Sequence, residues 1–106
     1  MSANHEYLVT IRNSLPPEMP DGQRAMLVAA EARRAAELAE AGTLRRLWRV
    51  AGRRENVGLW VAEGGDDLHR ALSSLPMFPY LDITVVALAQ HESDPPHRMA
   101  AGPGEH

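Results

Sequence analysis

The order of hydrophobic and polar residues along the chain predicts four strands and two helices. β-branched or aromatic side chains recur in four short segments and predict strands at 6–12, 44–51, 56–62 and 81–89. A long helix is predicted from Gln23 to Ala41, because this stretch lacks proline and glycine and is rich in alanine, leucine, glutamate and arginine. A shorter helix is predicted from Leu68 to Leu75, where Pro76 ends it.

Turn and cap residues separate these elements. Asp21 is the expected N-cap of the long helix, and Gly42 its expected C-cap. The segment Gly52-Arg53-Arg54-Glu55 is suited to a hairpin turn between the second and third strands. Residues 64–67 are expected to break the chain before the short helix, and 77–80 to form an apolar, proline-containing loop.

The element order β-α-β-β-α-β predicts an α+β, ferredoxin-like fold, with one antiparallel sheet and both helices on a single face. The last strand is apolar nearly throughout, which is typical of burial on both faces. A chain of this length cannot cover both faces with its own helices, so we expect self-association. We expect residues 1–91 to form the domain. Residues 92–106 show no helical or strand period and are predicted to be a flexible C-terminal tail.

Composition narrows the class of protein. The chain has 106 residues, a formal net charge of -3 and no cysteine. One domain is expected at this length, and disulfides, thiolate-bound metals and thiol nucleophiles are excluded. The mildly acidic balance argues against nucleic acid as a partner. No apolar run approaches the ~18 residues of a membrane span, and the N-terminus lacks a signal-peptide pattern, so a cytoplasmic protein without a membrane partner is predicted.

Glu31 is the most informative residue for chemistry. At about 100° per residue, Leu27, Glu31 and Leu38 share one side of the long helix, the side expected to face the sheet. A carboxyl group buried there would have a raised pKa and be suited to general acid–base catalysis. The alternative is a structural ion pair with Arg34, one turn further on.

Five arginines surround the predicted hairpin, at positions 45, 46, 49, 53 and 54. In a regular strand, Arg46 shares a face with Leu44 and Trp48, while Arg45 and Arg49 point to the other face. Arginines beside an indole ring are suited to binding a substrate carboxylate. The alternative is a strand edge that charge protects from further pairing.

The remaining candidates indicate little chemistry. His69 is predicted to be a packing or surface residue. No H-x-x-x-H or H-E-x-x-H spacing is present, so no metal site is predicted. Serine-elbow, P-loop and dinucleotide-binding motifs are also missing from the sequence. An RNA-recognition domain shares the element order, but the third strand offers only Trp60 for base stacking.

Several sequence blocks between about Tyr7 and His91 resemble the muconolactone Δ-isomerase family. The resemblance is carried by Leu15-Pro16, Met19, Glu31, Gly42, Leu47-Trp48-Arg49-Val50-Ala51-Gly52, Asn56, Leu68-His69 and the run from Leu75 to Ile83. It implies a ferredoxin-like subunit that pairs through its sheet in a dimeric α+β barrel type assembly and forms a homo-oligomer, a decamer in the family. It also implies cofactor-free isomerisation of (+)-muconolactone to 3-oxoadipate enol-lactone in catechol catabolism.

The resemblance also implies roles for individual residues. Glu31 coincides with a glutamate typical of the family and would be the catalytic proton shuttle. Arg46 and Arg54 would contact the carboxylate or the oxyanion of a small lactone substrate. The other residues expected around the substrate are His69 and three aromatic residues that would form an apolar wall, Trp48, Phe78 and Tyr80.

The sequence departs from the family pattern at four positions. Val28, Arg34, Arg46 and Arg54 stand where a lysine, an apolar residue, a histidine and a tyrosine are usual. Two alternatives therefore stay open. One is a diverged enzyme that acts on another unsaturated lactone or acid, by isomerisation or elimination. The other is a non-catalytic α+β barrel that binds a ligand or acts as a scaffold.

Overall fold

The predicted element order is confirmed by the computed structural model, which describes residues 4–95. The elements are β1 (His5–Asn13), α1 (Asp21–Glu40), β2 (Leu44–Arg49), β3 (Glu55–Ala62), α2 (Gly65–Ser73) and β4 (Leu81–Leu88), with a single 3-10 turn at Phe78–Tyr80 before β4. Residues 1–3 and most of the predicted tail, 96–106, lie outside the described part. Within the described part, neither helix is long and apolar enough to cross a membrane.

The sheet has the strand order β2-β3-β1-β4, and all three pairings are antiparallel. Alternate residues of β1, namely Tyr7, Val9 and Ile11, are buried in one core cluster with residues of both helices. Leu38 of α1 and Leu68 of α2 belong to that cluster. Because alternate side chains of a strand share a face, both helices lie on the same face of the sheet. The predicted α+β, ferredoxin-like fold is confirmed.

The opposite side of the sheet, which we call the open face, is not covered by either helix. The pairing registers place on it the apolar side chains of Leu8, Trp48, Val57, Leu59, Val61, Val86 and Leu88. Burial of the last strand on both faces, expected from its apolar sequence, does not occur within the single chain, although Leu81 and Ile83 pack against the core. The neighbouring residues Val85 and Val86, which point to opposite faces, are 43% and 50% exposed because β4 is an edge strand.

α1 ends at Glu40, one residue before the predicted end, and Ala41 is its C-cap; Gly42, the predicted cap, is the next residue. Gly42 has a φ of 85°, a conformation that glycine adopts without steric cost. Its N–H donates to the carbonyl oxygen of Ala39 at 3.1 Å, and the Thr43 N–H donates to that of Leu38 at 2.9 Å. This pair of hydrogen bonds is the Schellman motif, which satisfies the last free carbonyl groups of the helix.

The predicted helix starts are less accurate. Asp21 is the first residue of α1 and not its cap, since Pro20 occupies the N-cap position without a side-chain hydrogen bond. The fixed φ of proline is compatible with this start, and the Asp21 charge favours the positive end of the helix dipole. α2 begins at Gly65, three residues before the predicted start, and Asp66 and Asp67 form its acidic first turn. It ends at Ser73, before Leu75.

A β-bulge in β2 changes which side chains share a face. Leu44 pairs with Trp60, whereas Arg46 pairs with Leu59, so Arg45 is an extra residue between them. Leu44 consequently lies on the helix side, where it is only 8% exposed. The expectation that Leu44 shares a face with Arg46 and Trp48 is therefore wrong.

Candidate active site

A cleft of about 400 Å³ lies at one end of the sheet, beneath α1. β1 and β2 end there and β3 and β4 begin there, because neighbouring strands run in opposite directions. The lining residues come from these strand ends, from α1 and from the adjoining loops: Ile11, Asn13, Leu15, Arg24, Glu31, Arg49, Arg53, Arg54, Glu55, Asn56, Met77 and Leu81. The topology thus brings together polar residues that are far apart in the sequence.

Glu31 reaches the cleft from the middle of α1. As predicted, it shares the inward side of the helix with the half-buried Leu27 and the buried Leu38. Its Oε1 accepts a hydrogen bond of 2.8 Å from the backbone N–H of Met77. Burial raises the pKa of Glu31 above its ordinary value, and the Met77 hydrogen bond opposes that rise without cancelling it.

Arg34 does not pair with Glu31. Its Nη1 donates to Oε1 of Glu37 at 2.9 Å, and its Nε donates to Oγ of Ser74 at 2.9 Å. The predicted alternative of a structural ion pair for Glu31 is therefore wrong. Glu31 has no ion-pair partner among residues 4–95, so its carboxyl group remains available for proton transfer.

Four arginines line the cleft, and they differ in whether the guanidinium group has a partner in the described part of the chain. Arg53 is neutralised by Glu55, with Nη2 and Oε2 3.0 Å apart, and Arg24 donates from Nη2 to the carbonyl oxygen of Pro16 at 2.8 Å. The guanidinium groups of Arg49 and Arg54 make no hydrogen bond or ion pair within the described part of the chain. Guanidinium groups of this kind are suited to binding a carboxylate in two-point contact.

Four polar residues of the cleft were not predicted as site residues: Arg24, Asn13, Glu55 and Asn56. Oδ1 of Asn56 is buried and has no hydrogen-bond partner among residues 4–95. Asn56 pairs with Ile11, and so lies on the helix-facing side of β3. An amide on the inward side of a strand is the sequence signal that identifies it. The sequence signal for Arg24 is weaker. It lies seven residues before Glu31, which places both residues on the same side of the helix.

Of the six predicted substrate-binding residues, Arg54 lines the cleft with Glu31 in the described chain. Arg46 lies on the open face, with its guanidinium carbon 4.8 Å from the centre of the Trp48 ring. His69 meets Phe78 edge to face, with ring centres 6.0 Å apart. Tyr80 follows in the 3-10 turn, where its carbonyl oxygen accepts the Ser14 N–H at 2.9 Å. The binding roles of these residues stay predictions.

The chemistry available in the cleft is proton transfer beside an anion site. Glu31 offers a carboxyl group whose pKa is raised by burial, and Arg49 and Arg54 offer unpaired positive charge. Residues 4–95 contain no group of three or more histidine, cysteine, aspartate or glutamate side chains placed to hold a metal ion. The arrangement therefore suits an acidic small molecule that gains or loses a proton at Glu31.

The chain is similar to known proteins in both sequence and fold. The family model "Muconolactone delta-isomerase" matches residues 5–94. The chain is 40% identical over 87 residues to Muconolactone Delta-isomerase 2 of Acinetobacter lwoffii, covering 82% of this chain and 91% of that protein. It is 39% identical over 87 residues to Muconolactone Delta-isomerase of Cupriavidus pinatubonensis, covering 82% and 95%. A crystal structure of muconolactone isomerase superposes with a TM-score of 0.80 at 36% identity, covering 85% of this chain and 94% of the other. This chain therefore belongs to the muconolactone Δ-isomerase family.

Proposed function

We propose that the protein catalyses the isomerisation of (+)-muconolactone to 3-oxoadipate enol-lactone in the β-ketoadipate route of catechol catabolism. Family membership supports this reaction. The observation that carries it is the half-buried Glu31 carboxyl group, which is held by Met77 and has no ion-pair partner in the described chain. A carboxyl group in that state takes up and releases a proton near neutral pH more readily than an exposed one.

The reaction is a 1,3-proton shift that one carboxyl group performs. Glu31 removes the proton from the ring carbon that bears the carboxymethyl group, and the charge spreads over the unsaturated lactone as a dienolate. Glu31, now protonated, returns the proton to the carbon next to the carbonyl. The Met77 N–H holds Oε1, so Oε2 is the oxygen that exchanges the proton. Because the reaction only moves one proton from one carbon of the substrate to another, it requires no electron carrier and no second reactant.

Arginines of the cleft supply the positive charge that the substrate and the dienolate need. Arg54 binds the substrate carboxylate, and Arg49, which lines the same cleft, stabilises negative charge on the lactone oxygen. Arg46, Trp48, His69, Phe78 and Tyr80 lie outside the cleft of the single chain. Their contact with the substrate remains a prediction.

We also propose that the chain self-associates through the open face, and by resemblance that dimers assemble into a decamer. Trp48, Val86 and Leu88 are between 39% and 50% exposed there. A contiguous apolar surface of this kind is typical of an interface between protein chains. A domain of residues 1–91, a flexible tail at 92–106 and a cytoplasmic location remain predictions.

The proposed reaction is tested by incubating the protein with muconolactone in deuterated water and following the proton shift by NMR. We expect turnover by the unaltered protein and a loss of about 100- to 10,000-fold in kcat for Glu31→Gln. Glu40→Gln, at an exposed position of the same helix, is the matched control and should keep full activity. Absence of turnover, together with no effect of Glu31→Gln on any substrate, would favour a non-catalytic binding or scaffold protein.

A second candidate is a diverged enzyme that acts on another unsaturated lactone or acid, by isomerisation or by elimination. Arg54 favours it, because an arginine lines the cleft at a position where the sequence resemblance predicts a tyrosine. Elimination would begin with the same removal of a proton by Glu31, after which a leaving group departs from the ring. Halide release from a halogenated muconolactone distinguishes elimination from the simple proton shift.

A further inference from the structure

The cleft carries more positive charge than a muconolactone-binding site needs. Its walls contain four arginines and two glutamates. Arg53 and Glu55 neutralise each other at 3.0 Å. Arg24, Arg49 and Arg54 carry the other three positive charges. An ionised Glu31 balances one of them, so two remain in excess. Muconolactone has one carboxylate and would balance only one of them.

The excess charge approaches the cleft from two walls. Arg24 and Glu31 are seven residues apart on α1, so they share a side of the helix and are separated by about 10 Å along its axis. Arg49 ends β2, and Arg54 lies in the loop that follows. The cleft thus presents guanidinium groups from the helix wall and from the sheet wall, with the Glu31 carboxyl group on the helix wall.

Arg24 is held in place before any ligand binds. Its Nη2 donates to the Pro16 carbonyl oxygen at 2.8 Å, and the residue is half-buried. The side chain keeps further N–H donors for an acceptor in the cleft. A guanidinium group fixed in this way loses little conformational entropy when it binds an anion.

We propose that the cleft selects an unsaturated lactone with two carboxylates, one bound at Arg54 and the second at Arg24. The proposal rests on the proposed function of the same site. The matching substrate is muconolactone with an additional carboxylate on the ring carbon β to the carbonyl. The proton still leaves the carbon that bears the carboxymethyl group and arrives next to the carbonyl. No bond to the second carboxylate forms or breaks.

The test compares kcat/KM for this dicarboxylate and for muconolactone on the same preparations. We expect the unaltered protein to prefer the dicarboxylate by at least about tenfold, because a charged hydrogen-bonded contact is added. Arg24→Gln should reduce that ratio by about tenfold, and Arg24→Lys should restore part of it. Arg33→Gln removes the same charge from the exposed side of α1 and should leave the ratio unchanged. The ratio does not depend on the fraction of folded enzyme.

A preference of one or below in the unaltered protein would overturn the proposal while leaving the isomerase function intact. Equal losses of kcat/KM for both substrates in Arg24→Gln would also overturn it, since Arg24 would then support the site without binding the second carboxylate. If neither lactone is turned over, the proposed function fails. Calorimetric binding of the two lactones to Glu31→Gln then still decides the inference, with tighter binding of the dicarboxylate by about tenfold expected.

Discussion

The backbone N–H of Met77 donates a hydrogen bond of 2.8 Å to Oε1 of Glu31, and so joins α1 to the segment between α2 and β4. The contact fixes one oxygen of the carboxyl group and orients the other. Met77 is buried and Glu31 half-buried, so this orientation is set by the packed interior and not by solvent. A side chain held in this way is prepared for proton transfer before a substrate arrives.

The pH dependence of the reaction follows from the surroundings of Glu31. Burial raises its pKa above the ordinary value of 4.5, and the ionised form is the base. We expect kcat/KM to rise with pH through a midpoint above 4.5 and then to level off, because kcat/KM reports ionisation of the free enzyme. The pH profile of the initial rate measures this midpoint. A midpoint at the value of a free glutamate would contradict the role of burial.

Arg34→Met is the matched control for that profile. Arg34 contacts Glu37 and Ser74 and not Glu31, so its removal should leave the midpoint unchanged. An upward shift of the midpoint in Arg34→Met would mean that Arg34 stabilises the Glu31 carboxylate after all.

Glu31→Gln should stabilise the protein at neutral pH. The pKa of Glu31 is higher in the folded chain than in the unfolded chain, so its contribution to stability is fully present below 4.5 and is lost as pH rises through the folded-state pKa. Glutamine imitates the protonated acid and keeps an oxygen for the Met77 N–H. We expect a higher Tm than that of the unaltered protein at pH 7, and little difference at pH 4.

The stability measurement has its own control in Glu40→Gln, which removes an exposed charge from the same helix. Because Glu40 lies at the negative end of the helix dipole, this substitution should raise Tm at pH 7 only slightly, and by less than Glu31→Gln. A lower Tm for Glu31→Gln at neutral pH would show that a cation satisfies the Glu31 charge in solution. A stabilising substitution that abolishes activity would be typical of a residue kept for catalysis.

Local rules allowed the sequence to predict part of this structure. The C-terminal end of α1 follows from the backbone freedom of Gly42, and the inward position of Glu31 follows from the helical period. The start of α2 was misplaced because Gly65 suggested a break, although the acidic residues after it favour a helix N-terminus.

Most of the cleft was beyond such rules. Arg24 and Asn56 line the same cleft because strand ends and a helix come together there in three dimensions. No local sequence pattern encodes that arrangement. The bulge at Arg45 depends on how β2 pairs with β3, so the sequence of β2 does not by itself reveal it. Phe78, one of the aromatic residues predicted to contact the substrate, instead meets His69 outside the cleft of the single chain. Its position also depends on three-dimensional packing and not on the local sequence.

Gly58 is required for the packing of Trp60 in the core. A Cβ atom at Gly58 would lie 2.8 Å from Nε1 of Trp60 and 3.3 Å from the backbone oxygen of Arg46. Trp60 is only 2% exposed and cannot move away. We expect Gly58→Ala to lower the free energy of unfolding by about 1–3 kcal/mol, measured by chemical denaturation.

Gly22→Ala is the comparison for that prediction. No atom lies within 4 Å of a Cβ at Gly22, which is in the first turn of α1. Alanine is the better helix former, so stability should stay the same or rise by up to about 1 kcal/mol. Equal effects of the two substitutions would contradict the steric role of Trp60.

The open face provides the last prediction, which concerns self-association. Val86 lies on the open face beside Leu8, on the edge strand β4, and is 50% exposed in the single chain. Val86→Asp therefore disturbs little packing within one chain, but it would bury an unpaired carboxylate between two sheets, which is strongly unfavourable. We expect sedimentation velocity to show an oligomer for the unaltered protein and a shift towards monomer for Val86→Asp, with an unchanged circular dichroism spectrum.

Val28→Asp is the matched substitution on α1, where the side chain is 49% exposed and far from the open face. It introduces the same charge and should leave the sheet-paired dimer intact. A monomeric unaltered protein, or an oligomer that tolerates Val86→Asp, would contradict pairing through the open face. The exposed valines of β4 would then be an edge without a partner, and the apolar sequence of that strand would lack its physical reason.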